Sequence, residues 1–387
     1  MSAPGVLIGA VQRYAWGSIE ALPRIMGEQP TGEPQAELWL GAHPRGPSVL
    51  RRGGVDQLLS QAIAEDPVGE LGADAVRSFG DELPFLLKIL AVDQPLSLQT
   101  HPTRQQAQAG FDAESERGIP LHADHRSYRD RNHKPELICA LEPFTAFCGF
   151  RPLSTAASLL ESLGVADLGP AIGFLMSGEA DRALRWLLEL PPESGASIAR
   201  QVVEACAQPG PFPDEREWGI RIGQQHPEDI GVAVALMLNL VRLDPGQALF
   251  LEAGNLHVYL HGVAVEIMAN SDNVLRGGLT VKHVDVPAVL DVVDCRPLEV
   301  LVQSPDGPCF PFEAPVPDFD LSRVELTGGR RFLPSGPEIV LCTSGSVSVA
   351  GHLIGSGEAV WVPAATGEYE VAGDGLVFRA RTSTSEP

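Results

Sequence analysis

Helical periodicity fills the middle of this chain and β-type patterning lies on both sides of it; no other feature restricts the fold as strongly. Apolar residues recur three and four positions apart through Ala156, Leu159, Leu160 and Leu163, then Leu184, Leu187 and Leu188, then Ile198, Val202 and Val203, the spacing of a buried helix face. Pro191-Pro192 and Pro209-Gly210-Pro211 cut the block into pieces. A further helix is expected from Glu228 to Val241, stopping at Asp244-Pro245-Gly246. On either side the apolar runs are short and alternate with polar residues, and 40 glycines and 33 prolines supply the turns that many short strands need. The expected fold is mainly β with an α insert. Its parts are a first β portion over 1–152, a helical insert over 153–242, a second β portion over 243–300 and a small β domain over 301–387.

Several strands carry polar residues on one face. In Leu96–Pro102, residues two apart share a side, so Ser97, Gln99 and His101 point one way and Leu96, Leu98 and Thr100 the other. Lys88 interrupts the buried-strand run Leu83–Val92, where an ammonium needs a partner or a polar cavity. Lys134 precedes a proline and is biased to extended backbone, which places it on one face with Glu136 ahead of the apolar strand Leu137–Leu141. Across the helical block, His257, Tyr259 and His261 share a face, and Glu266 sits in an apolar strand and needs a partner. Asn270–Leu279 forms a turn presenting Asp272 and Arg276, and Thr280 and Lys282 share a face of the next strand. Thr103 caps a short helix, and the polar run to Asn132 is long enough to act as a lid. Trp16 and Trp39 read first as core anchors, with Trp16 also a candidate for substrate contact; His43, a lone histidine before a turn, is a weak ligand candidate.

The net charge of −22 and pI near 4.8 exclude nucleic acid and anionic membrane surfaces as partners. An anionic small molecule fits only through a local basic cluster. Of 28 basic residues, three are lysine (Lys88, Lys134 and Lys282), and all three fall in the segments named above, where a compact point charge is useful. The six cysteines lack paired spacing and read as reduced, buried thiols of a cytoplasmic protein. No signal-peptide pattern is seen, the run Val232–Leu243 is too short to span a bilayer, and Thr382–Pro387 is expected to fray.

The motifs Tyr14-Ala-Trp-Gly17, Leu38–Pro44, Leu96–Pro102, Asn132–Glu136 and Leu251–Val286 occur in one order. Together they resemble the type I phosphomannose isomerases, zinc-dependent enzymes of the cupin class. The resemblance implies a jelly-roll catalytic domain, a helical insert and a cupin-like C-terminal domain. It implies one Zn²⁺ held by Gln99, His101, Glu136 and His257, a catalytic Arg276, and a pocket lined by Lys134, Glu266 and Lys282. The implied reaction moves a proton between C1 and C2 of a sugar phosphate through an enediol, with either Glu266 or Lys134 as proton carrier. Ser97, Lys88, Lys134 and Lys282 are candidates for the phosphate, and Tyr259 and Asp272 for further substrate contacts. The chain departs from the family pattern at Ala15 and at Gly254-Asn255-Leu256, neither of which is an implied ligand. A monomer is expected. His101, His257 and Glu136 would also suit an Fe(II) dioxygenase triad, and a non-catalytic sugar-phosphate sensor is the other rival.

Overall fold

The computed structural model describes residues 2–383, so the expected fraying at residues 384–387 lies outside the described residues. One strand, His257–Ala269, organises the first sheet, which has 11 strands. Its second half pairs antiparallel with Phe85–Val92 on one side and Glu136–Ala140 on the other; its first half pairs with Leu98–Thr100 and Phe144–Phe150. The two halves thus belong to two facing layers joined through a single strand. The change of layer falls at the register shift between Tyr259 and His261, followed by Gly262 at φ 125°. A Cβ at Gly262 would lie 2.5 Å from the Pro143 carbonyl oxygen, so only glycine fits this bend.

Side-chain parity sorts everything else. On Phe85–Val92 the odd residues Phe85, Leu87, Ile89 and Ala91 pack outward with Leu137, Cys139, Val263, Val265 and Ile267. They meet Leu7, Leu50, Ile339, Leu341, Trp361 and Phe378 of a second sheet, which has nine strands. Each large side chain buried there contributes about 1.5–3 kcal/mol. The even residues face inward, where Leu90 and Val92 join Ile138, Ala140, Phe144, Ala146, Cys148, Tyr259 and Ala264. Behind the other layer, Leu98, Phe147, Phe150, Val258 and Leu260 pack on the helical block.

That block holds six α-helices, from Leu153–Ser162 to Gly231–Ala235, among the described residues. The last of them is shorter than expected. Leu238–Leu243 is instead a strand antiparallel to Phe144–Phe150, and the Asn239 amide donates to the carbonyls of Cys148, Gly149 and Phe150. A short, fully apolar run such as Val232–Leu238 carries no period to separate helix from strand. The strand expected at Thr280–Lys282 is likewise absent. Leu279 adopts φ 55° and the chain bends into the helix Val286–Val292.

The second sheet runs in the order Cys309–Phe312, Asp320–Phe332, Tyr369–Arg381, Glu338–Val349, Ala359–Val362, Gly5–Ile8, Val49–Arg52, Val55–Leu58. Three strands from the beginning of the chain therefore complete a sheet built mostly from its end. The polar segment 103–132 opens with the helix Arg104–Glu116, capped by Thr103, whose hydroxyl accepts from the Gln106 N–H at 3.2 Å. Its remainder is tied down by Arg126, which donates to the carbonyls of Tyr128 and Ile119 at 2.7 and 2.5 Å and to Ser115 Oγ at 2.9 Å. No described helix is long and apolar enough to cross a membrane.

Candidate active site

The inward face that is apolar at Leu90 and Ile138 becomes charged toward one end of the same strands. Glu37, Lys88, Glu136 and Glu266 are all less than a tenth exposed, and so are Lys134, His101 and His257. Lys88 and Glu266 are register partners on neighbouring strands, and Lys88 donates to Glu266 Oε2 at 3.0 Å. Glu37 Oε2 lies 3.7 Å from the same ammonium and also accepts from the Trp39 indole N–H. The Tyr259 hydroxyl donates to Glu266 Oε1 at 3.0 Å and stands 3.5 Å from Glu136 Oε2. In a straight strand two residues seven apart are about 23 Å distant and on opposite faces. The bend at Gly262 is what brings Tyr259 and Glu266 together.

Glu136 is the centre of the arrangement. Lys134 Nζ donates to its Oε1 at 2.5 Å, and His101 Nε2 and His257 Nε2 each stand 3.4 Å from one of its oxygens. The ligand atoms of His101, Glu136 and His257 all lie within 4.8 Å of one another. Both imidazoles are held in one tautomer: Nδ1–H donates to the Asn273 carbonyl at 2.7 Å for His101 and to the Asn255 carbonyl at 3.1 Å for His257. Each Nε2 therefore carries a free lone pair, and both are buried with no hydrogen-bond partner. Two orphaned nitrogen lone pairs beside a carboxylate suit a divalent ion of the zinc type. Gln99, half-buried, is the register partner of both His257 and Arg276, which puts it beside the cluster.

Charge balance sets the protonation of this interior. Burial alone would raise Glu136, but the Lys134 ammonium beside it outweighs this and holds the carboxyl well below its ordinary value. Burial and the nearby Lys134 push His101 down to about 4, which keeps it neutral and able to ligate. Lys88 is desolvated, yet Glu266, Glu37 and Glu136 together keep it charged. Glu37, Glu136 and Glu266 outnumber Lys88 and Lys134, so one carboxylate is under-compensated. Glu266 is that group: its burial outweighs Lys88 and raises its pKa.

A second set of groups collects where the turn after Ala269 meets this interior. Asp272 Oδ1 pairs with Arg45 Nη2 at 2.9 Å and lies 3.5 Å from His43 Nε2. Arg129 donates its backbone N–H to Asn273 Oδ1 at 2.7 Å. Burial and the like charges of Arg129 and Arg45 lower the Arg276 guanidinium, and partial desolvation with Arg276, Arg45 and Arg129 lowers Lys282. In a chain of net charge −22, four cations gathered here make a local anion-attracting field. Lys282 is exposed and Ser97 half-buried. Trp16, half-buried on the inner apolar cluster, stacks on Tyr14 at 5.8 Å, and its carbonyl accepts from the N–H groups of Asp93 and Gln94. The three lysines do not converge: Lys88 and Lys134 lie among carboxylates and Lys282 among arginines. His261 is exposed, turned out of the His257 and Tyr259 face by the register shift. Sequence reasoning missed Glu37, Arg45, Arg129 and Asn273. Only Asn273, in a polar turn, left any signal, and its part is played by a backbone carbonyl.

A family model for the catalytic domain of type I phosphomannose isomerase matches residues 6–153. The mannose-6-phosphate isomerase of Escherichia coli (strain K12) is 39% identical, over 96% of this chain and 98% of its own length. The chain belongs to the mannose-6-phosphate isomerase family. Solved members of the family share the fold over nearly the whole chain. A mutant phosphomannose isomerase from Salmonella typhimurium superposes with a TM-score of 0.91 at 36% identity, covering 98% of this chain and all of its own. A mannose 6-phosphate isomerase described as holo and zinc bound gives 0.90 at 35% identity, covering 99% of this chain and 100% of its own.

Proposed function

We infer that this chain interconverts D-mannose 6-phosphate and D-fructose 6-phosphate in a zinc-dependent cupin site. One observation carries the reading: the buried, unpartnered Nε2 atoms of His101 and His257 that flank Glu136. These three residues would hold the ion, with Gln99 as a fourth donor beside them. When bound, zinc supplies Lewis-acid polarisation of the substrate's C1 and C2 oxygens.

The chain's own groups do the rest. Glu266, its pKa raised and its second oxygen fixed by Tyr259, carries the proton between C1 and C2. Lys88 holds the Glu266 carboxyl in place. Arg276 stays protonated throughout and stabilises negative charge developing on the enediol oxygens. Lys134 has the same inward aspect and is bonded to Glu136, and the raised pKa of Glu266 favours that carboxyl as the carrier. The phosphate sits at the cationic mouth beyond Arg276, held by Arg45, Arg129 and Lys282, with Ser97 as a further candidate contact. Asp272 fixes Arg45 there, and Trp16 supports the turn that leads into Leu96–Pro102. The reading extends to a cytoplasmic monomer with domains over 1–152 joined to 243–300, 153–242 and 301–387.

A coupled assay following fructose 6-phosphate formation from mannose 6-phosphate, with metal analysis of the same sample, tests the reading. Chelation abolishes turnover and added zinc restores it; turnover by demonstrably metal-free protein overturns the metal assignment.

A further inference from the structure

We propose that Asp318, contributed by the C-terminal part of the chain, is a positioning residue that clamps together the two segments carrying His101 and Glu136. Asp318 is 3% exposed, and both of its oxygens are engaged. Oδ1 accepts from Arg104 Nη2 at 3.0 Å, and Oδ2 accepts from His133 Nε2 at 2.8 Å. Arg104 Nη2 also lies 2.9 Å from that ring nitrogen, two donors brought together by the carboxylate they share. Arg104 opens the helix that follows His101-Pro102-Thr103, and His133 begins the extended His-Lys-Pro-Glu run ending at Glu136. One carboxylate therefore grips both flanks of the site, on segments that share no strand pairing with each other.

The carboxylate is itself held rigidly. Phe319, the next residue, is fully buried in the core between the two sheets, and the strand Asp320–Phe332 starts immediately after it. A second link reinforces the grip: Arg104 Nη1 donates to Asn132 Oδ1 at 3.4 Å, and the Asn132 amide donates to the Asn270 carbonyl at 3.2 Å. The rest of the C-terminal sheet meets the first sheet on its outward, apolar face. Asp318 extends that contact to the two segments that lead into the site. The spacing between His101 and Glu136 thus depends on a residue that touches neither. Groups hydrogen-bonded directly to metal ligands commonly change metal affinity by about 10–100-fold, and Asp318, one residue further out, is expected at the low end of that range.

The inference rests on the isomerase reading only for its activity arm. Asp318→Ala is compared with Asp320→Asn, which breaks the neighbouring pair to Arg381 (3.1 Å) without touching the clamp. With full-length, zinc-loaded protein, transfer of zinc to a chromogenic chelator is timed, kcat and KM are measured, and thermal melting is recorded. Asp318→Ala is expected to release zinc about 10-fold faster and to lose about 10-fold in kcat/KM, whereas Asp320→Asn keeps wild-type zinc release whatever it does to melting. Arg104→Ala, which removes half of the clamp from a partly exposed side chain, is expected to fall between them. Zinc release by both Asp318→Ala and Arg104→Ala within twofold of wild type overturns the clamp. Absence of isomerisation by the wild-type enzyme overturns the functional reading instead, and the zinc-release arm still decides the clamp.

Discussion

Two clusters of buried charge in this molecule look alike in burial and differ in completeness. In the C-terminal sheet, Glu338 is fully buried and accepts from Arg379 Nε at 3.0 Å, from Arg379 Nη2 at 2.5 Å and from the Tyr369 hydroxyl. One carboxylate meets one guanidinium in a fork, the hydroxyl fills what remains, and charge and hydrogen bonds both close. In the first sheet, three carboxylates face two ammonium groups, and two imidazole nitrogens have nothing to bond. A closed network rigidifies; an open one stores a demand for a partner. Burial of charge alone would have nominated both places as sites, and only the open cluster has chemistry left to offer.

The sharpest way to break the contrast is to open the closed cluster. Arg379→Met leaves the Glu338 carboxylate buried without its cation and should cost about 3–5 kcal/mol of stability. Urea denaturation measures the loss, while kcat of the folded enzyme stays within twofold; a large fall in kcat without loss of stability would make the C-terminal trio part of the chemistry. Next in size, Arg276→Ala should lower kcat by about 10²–10³-fold with zinc content unchanged, measured on one sample by turnover and metal analysis. A near-native kcat would remove Arg276 from the reaction. Smaller is a pH effect in the zinc-free protein. The folded His101 imidazole is held down to about 4 against 6.5 when free, by burial first and Lys134 second. Between those values the unfolded chain binds a proton that the folded chain refuses, so stability is full above 6.5 and declines as pH falls toward about 4. Melting curves of chelated protein should show this slope, and His101→Asn should flatten it.

Most strand faces were legible in the sequence, although Leu96, read on the same face as Leu98, packs on the inner cluster because the strand begins only at Leu98. Alternation in Leu96–Pro102 puts Leu98 in the core behind and Gln99 toward the cluster, and the isolated Lys88 and Glu266 each demanded a partner. What could not be read was that they are each other's partner, 178 residues apart, because periodicity describes a strand's own faces and says nothing about which strand lies alongside. The same gap hid Glu37 and Arg45, whose roles come from neighbours distant in sequence. His261 shows the limit within a single strand. A two-residue period places it with His257 and Tyr259, but one register shift reverses its side. The expected helix through Val241 failed for another reason: a run with no polar residue has no face to reveal.

The strand Gly5–Ile8 lies between Val49–Arg52 and Ala359–Val362. During synthesis it emerges long before Ala359–Val362 and waits, one edge bare, until that partner strand follows. Such long-range closure is slow, and an edge left open in the meantime invites pairing with the wrong chain. Shortening the chain from its far end would reopen that edge and expose Leu7 and Leu50 beside it, so loss of the strand Ala359–Val362 should be felt as aggregation.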